Sequence, residues 1–159
     1  YLYAELEKLL HNYEPKEAKA TDSIQVLHDI AELSHRRSLI AIFSDMLDDP
    51  ERTDELFEAL QHLKHNKHEV ILFHVVDKTM ELDFDLENRP YTLVDMETGE
   101  QMKLIPREVK EHYTAQIAKH FKKLKDKCGA YGIDFYELDT NENLNELLIK
   151  FLTKRQKMR

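Results

Sequence analysis

The chain predicts an α/β fold, a doubly wound, mainly parallel and Rossmann-like sheet wrapped by helices. Three observations lead there. The runs Leu39-Ile40-Ala41-Ile42-Phe43 and Val70-Ile71-Leu72-Phe73-His74-Val75-Val76 are continuous rather than alternating. Continuous apolar runs are the pattern of strands buried on both faces. Segments of helical apolar spacing precede, separate and follow these runs, and such alternation gives a parallel sheet with right-handed crossovers.

The elements follow in order. Leu2, Leu6, Leu9 and Leu10 predict a helix over 2–12, and Glu14 to Ala20 is a polar linker broken by Pro15. Thr21 or Asp22 caps a second helix whose apolar face is Ile24, Val26, Leu27, Ile30 and Leu33. The first buried strand spans 38–43. Asp49 followed by Pro50 reads as a cap and a first helical position, opening a helix over 50–64 that ends through His65 to His68. The second buried strand runs from Glu69 to Val76. Residues 77–105 form an acidic, extended insertion, alternating from Met80. Within it, Tyr91–Met96 and Gln101–Ile105 flank Glu97-Thr98-Gly99-Glu100 as a β-hairpin. Pro106 starts a long helix to about Cys128, ended by Gly129 and Gly132. Ile133 to Leu138 is a third strand. Asp139, Thr140 or Asn141 caps a last helix, and the basic tail Lys154 to Arg159 is expected to fray.

Size and charge bound the function. A chain of 159 residues is a single domain, 1–159. Its net charge of −8, from 31 acids against 23 bases, argues against general nucleic-acid binding. The single cysteine, Cys128, cannot form an internal disulfide, which points to a cytoplasmic setting. No apolar run approaches the roughly 20 residues needed to span a bilayer. With three glycines in all, the dinucleotide fingerprint and the P-loop are both absent. The first residue is Tyr1, not Met, and it opens into a helical pattern; the expectation is an amino-terminally truncated piece of something longer.

In open α/β sheets the ligand sits outside the carboxyl ends of the strands. Ser44 and Asp45 fall there, where an Asp would meet a divalent cation or a polar partner. The plainer role for Asp45 is to cap its loop through backbone N–H groups. Thr21 is first of all an N-cap. Ser44 has no histidine placed by motif to activate it as a nucleophile. His62, His65 and His68 read as solvated surface histidines, His74 as a core histidine with an unnamed partner, and Cys128 as a buried small residue. Asp77, Glu81, Asp83, Asp85 and Glu87 make an acidic edge, solvated or serving as an interaction lip. Lys119, Lys122, Lys123, Lys125 and Lys127 form a basic stripe read as the wet face of the long helix.

Several segments together resemble one family. They are Arg36-Arg37-Ser38-Leu39, Phe43-Ser44-Asp45 with Asp48-Asp49-Pro50, and His68-Glu69-Val70 leading to Phe73-His74-Val75-Val76-Asp77. Glu81-Leu82-Asp83-Phe84, Glu97-Thr98-Gly99-Glu100, and Tyr131-Gly132-Ile133-Asp134 leading to Leu138-Asp139-Thr140 complete the set. The chain resembles the carboxyl-terminal two-thirds of a von Willebrand factor type A-like domain, of the bacterial family of unknown function found with MoxR-type AAA+ ATPases. The resemblance implies a sheet with a metal-ion-dependent adhesion site at its top. Asp45 matches that site's strand-end Asp, and Thr21 matches its loop Thr. The Asp-x-Ser-x-Ser loop is not in the sequence, nor is the family's central strand.

The resemblance therefore implies a protein–protein interaction module, an adaptor for a MoxR-type ATPase, and not an enzyme. Mg²⁺ would be held by Asp45 and Thr21 in an intact protein and not by this piece alone. Ser44, Asp48, Asp49 and Asp77 would form the partner-binding rim. A metal-dependent hydrolase or phosphotransfer enzyme anchored at Asp45 is the alternative, and it calls for a second carboxylate converging there. A missing central strand would leave strand 38–43 with an open apolar edge, and with it the expectation of homodimerisation.

Overall fold

The computed structural model describes residues 4, 7–8, 11, 22–47, 52–94 and 99–157. The predicted helix over 2–12, the linker, Thr21, Asp48, Asp49 and Pro50 lie wholly or largely outside these residues.

Within them, α1 (Ser23–Leu33) begins where Asp22 accepts a hydrogen bond from the Gln25 N–H. β1 (Leu39–Ser44), α2 (Thr53–His65) and β2 (Glu69–Val76) follow. A hairpin, β3 (Tyr91–Val94) and β4 (Gln101–Leu104), precedes the long helix α3 (Pro106–Tyr131). β5 (Asp134–Asp139) and α4 (Leu144–Lys157) complete the order. β1, β2 and β5 form a three-stranded sheet in that order, parallel throughout. Ser44 pairs with His74 and Val76 with Asp139, so the carboxyl ends of all three strands lie together.

One sheet face presents Ile40, Val70 and Leu72 to a core completed by Leu56, Leu60 and Leu63 of α2 and Leu124 and Cys128 of α3. α1 covers α2 through Ile24, Leu27 and Ala31. On the other face, Phe151 of α4 packs edge-on against Phe73 and Tyr136. Helices thus cover both faces of β2, as its continuous apolar run predicts. Among the described residues, no helix is long and apolar enough to cross a membrane.

The structure corrects several expectations. β1 is not buried on both faces: Leu39 and Phe43 are more than half exposed, and only Ile40 is buried. Its place at the sheet edge explains this, since α4 reaches β2 and β5 on that face. The alternating segment from Met80 is not extended; Lys78–Leu82 winds into one π-helical turn capped by Asp77. Gly129 lies inside α3, and Gly132 alone ends it, with φ +67° in the left-handed region where a side chain would be strained. At the start of α4 the side-chain bond comes from Asn143, whose Oδ1 accepts from the Asn145 N–H, rather than from Asp139, Thr140 or Asn141.

Candidate functional site at the carboxyl ends of the strands

Parallel pairing delivers three aspartates to one end of the sheet. Asp45 follows β1, Asp77 follows β2, and Asp139 is the last residue of β5. Each is fixed differently.

The loop after β1 is held by its own hydroxyl and by two histidines. Ser44 Oγ accepts the Met46 N–H at 3.0 Å. Asp45 Oδ1 accepts the Leu47 N–H at 3.3 Å, so the plain loop-capping role of Asp45 is present. His74 Nε2 donates to the Asp45 carbonyl at 2.9 Å, and His120 Nε2 donates to the Met46 carbonyl at 3.0 Å. These bonds hold Met46 at φ +52°, a left-handed conformation that costs an L-residue roughly 1–2 kcal/mol. The Asp45 carboxylate stays exposed while its backbone is anchored from β2 and α3.

His74 is the core histidine the sequence suggests, and its partner is a carbonyl. It is fully buried, with its ring 4.2 Å from Phe121. Burial pushes its pKa below the ordinary imidazole value. Because Nε2 carries the proton, Nδ1 is a buried lone pair, without a hydrogen-bond partner among the described residues.

Asp77 Oδ1 accepts from the Met80 N–H and from Asn141 Nδ2, both at 3.0 Å. Asn141 Nδ2 also reaches Asp139 Oδ1 at 3.1 Å, tying the ends of β2 and β5 together. The Asn141 N–H is the main reason the Asp139 carboxyl is held below its usual range. Asp77 thus serves mainly as a cap and a bridge.

Glu81 is the residue that sequence reasoning placed only within an acidic edge. The π-helical turn brings it inward, and its Oε2 is buried without a partner among the described residues. Burial raises its pKa, and the charges of Asp45 and Asp77 add to the rise. Its charge in turn adds to the rise that burial imposes on Tyr113. No sequence signal announces this, because the inward turn depends on Asp77 capping it. A raised carboxyl pKa means that the folded state binds the proton more tightly than the unfolded one. Stability is then lost as pH rises from the ordinary 4.5 through the folded value. Glu81→Gln is expected to raise the melting temperature at pH 7 by about 1–3 °C. The gain should shrink toward zero below pH 4.5, which thermal scans from pH 4 to pH 8 would check.

The histidine triplet divides. His65 is exposed as expected. His62 is half-buried, facing His28 Nδ1 at 3.0 Å and Glu32 at 3.0 Å. His68 is buried and accepts the Ser38 N–H at Nδ1. Cys128 is fully buried, its thiol pushed up to about 11.

Mg²⁺ asks for six oxygen ligands in near-octahedral order. The described residues offer the Asp45 carboxylate and the Ser44 hydroxyl, which already accepts a backbone N–H. No group of three or more His, Cys, Asp or Glu able to hold a metal occurs among the described residues. These residues alone do not fit the cation. Thr21, Asp48 and Asp49 lie outside the described residues.

The family described as Protein of unknown function DUF58 matches residues 3–123. The chain belongs to the DUF58 family. The DUF58 match takes in β1, β2, Asp45, Asp77, Glu81 and Tyr113, and stops within α3 before β5 and α4. No curated protein and no solved structure matches the chain.

Proposed function

We propose that this DUF58 chain is a von Willebrand A-like protein-interaction module, not an enzyme. Its partner is a MoxR-type AAA+ ATPase in the cytoplasm, and the rim of Ser44, Asp45 and Asp77 faces that partner. One observation carries the reading: two histidines from different elements fix the backbone of Asp45 and Met46 while the Asp45 carboxylate stays exposed. A rigid loop presenting one unburied carboxylate suits capture of a partner's basic or metal-bound group. Such a hydrogen-bonded charge typically contributes about 1.5–3 kcal/mol. No step of the recognition is routed through Mg²⁺, because the described residues do not fit it. Loss of ATPase binding on Asp45→Ala tests the reading.

A second reading has one observation in its favour. The turn after β2 carries Glu81 at the same end of the sheet as Asp45, with its Oε2 buried and its pKa raised by burial, as the general acid of a metal-dependent hydrolase or phosphotransfer enzyme would need. Turnover of a phosphoester, abolished by Glu81→Gln, would favour the enzyme.

The edge of β1 adds a self-association surface. Leu39-Ile40-Ala41-Ile42-Phe43 carries no charge, and an uncharged edge strand invites strand pairing. Sedimentation velocity at increasing concentration is expected to show a dimer that Ala41→Lys dissolves. A monomer at every concentration would refute it.

A further inference from the structure

Among the described residues, the long helix α3 is covered along only part of its surface. Phe121, Leu124 and Cys128 face the core. Beside them, a groove of about 560 Å³ opens between α3 and the loop after β1, floored by Leu47, Tyr113, Ile117 and His120. Lys119 and Lys123 line its flank. The same two lysines also line a second, shallower depression of about 440 Å³ that continues to Lys127 and Ala130. Tyr113 and Ala130 are 17 residues apart, so the two together run about 25 Å along the helix at 1.5 Å per residue.

The charge along this track is opposite to that of the molecule. The track's lining holds four lysines, Lys119, Lys122, Lys123 and Lys127, against one aspartate, Asp126, in a chain of net charge −8. Part of this charge is engaged. Lys123 pairs with Asp54 at 3.3 Å, and Lys127 lies over the rings of Phe57 and Tyr131. Lys119 and Lys122 make no ion pair among the described residues.

We propose that this groove seats an acidic amphipathic helix of a protein partner. Apolar side chains at i, i+3 and i+4 enter between Leu47, Tyr113 and Ile117, and carboxylates along one side of the helix meet Lys119 and Lys122. The inference rests on reading the chain as an interaction module, and it names the chemistry of what that module binds. The length matches about five helical turns. The apolar floor of the first half fits a peptide better than a phosphate backbone. Lys119 and Lys122, without an ion pair among the described residues, favour a partner that brings carboxylates into local contact with them.

The test uses the full 159-residue chain in EDTA and three labelled probes, followed by fluorescence anisotropy. The first probe is a 17-residue helical peptide with leucines at i and i+4 and glutamates on one flank. The second is the same peptide with lysines in place of the glutamates, and the third is a uridine oligonucleotide. The acidic peptide is expected to bind at least tenfold more tightly than the basic one, and to weaken as salt rises. The double variant Lys119→Glu, Lys122→Glu should lose at least tenfold in affinity with an unchanged melting temperature. Amide shifts on peptide addition should cluster at Gln116, Ile117 and Lys119. Equal binding of the two peptides, unchanged affinity in a folded double variant, or tighter binding of the oligonucleotide would each overturn the proposal. If the acidic peptide fails while ATPase binding still depends on Asp45, only the groove falls. If the peptide binds as described and the ATPase ignores Asp45, the groove stands and only the rim falls.

Discussion

His74→Ala is expected to lower the melting temperature of this protein by about 6–12 °C, corresponding to about 3 kcal/mol. His74 is fully buried at the pairing position of Ser44, and its Nε2–H is bonded to the Asp45 carbonyl. Removing it leaves that carbonyl without its donor, which costs roughly 1–3 kcal/mol, and opens a cavity against Phe121. His74→Phe separates the two effects: it fills the volume, restores part of the loss and leaves the carbonyl unpaired. The pH dependence supplies an independent check. Burial lowers the folded-state pKa of His74, so below about the ordinary 6.5 the unfolded state takes up a proton that the folded state refuses. Wild-type stability should therefore fall as pH drops from 6.5 toward the folded value, and His74→Phe should lack that component. Thermal scans across pH 4 to pH 8 would read both. An alanine variant that melts with the wild type would mean that the loop after β1 does not depend on this anchor.

What the sequence revealed, and what it hid, follow from how far each signal reaches. β2 was legible because it is covered on both faces, so its residues from Val70 to Val76 are apolar except His74. β1 was legible as a strand, but not as an edge strand. Its own residues do not say whether a helix covers Leu39 and Phe43. The end of α3 was legible at Gly132, where the left-handed turn needs glycine, but Gly129 gave the same local signal without that need. The π-helical turn at Lys78–Leu82 was hidden because Met80-Glu81-Leu82-Asp83-Phe84 alternates like a strand. Asp77 overrides the pattern by capping the Met80 N–H, while Asn141 braces Asp77 from 64 residues away.

The position of Ser44, Asp45 and Asp77 at the carboxyl ends of strands was legible from the ends of the apolar runs. The elements that give the site its character were not. His74 and His120 act on backbone carbonyls, and every residue has one, so no side-chain type marks the acceptor. Glu81 looked like one acid among five until the turn folded it inward. The histidine triplet misled for a related reason. His68 follows a solvated helix end, yet it is the residue just before β2 and takes the Ser38 N–H into the core.

The second large effect concerns binding, and it bears on the central claim that the strand-end rim is the partner-facing surface. Asp45 contributes one exposed charge, and its one side-chain bond among the described residues, from the Leu47 N–H at 3.3 Å, is long, so Asp45→Ala should leave folding nearly intact. Its loss should appear in affinity instead. One hydrogen-bonded charge at an interface, at about 1.5–3 kcal/mol, corresponds to roughly a tenfold to hundredfold change in Kd. Lys67→Ala is the matching control, because Lys67 is exposed beside the opposite, amino-terminal end of β2. The deciding measurement is the Kd of a purified MoxR-type ATPase for the wild-type chain, Asp45→Ala and Lys67→Ala, with melting temperatures taken on the same samples. The account predicts a loss of at least tenfold for Asp45→Ala alone, at an unchanged melting temperature. Equal affinity of all three proteins for the ATPase would contradict it.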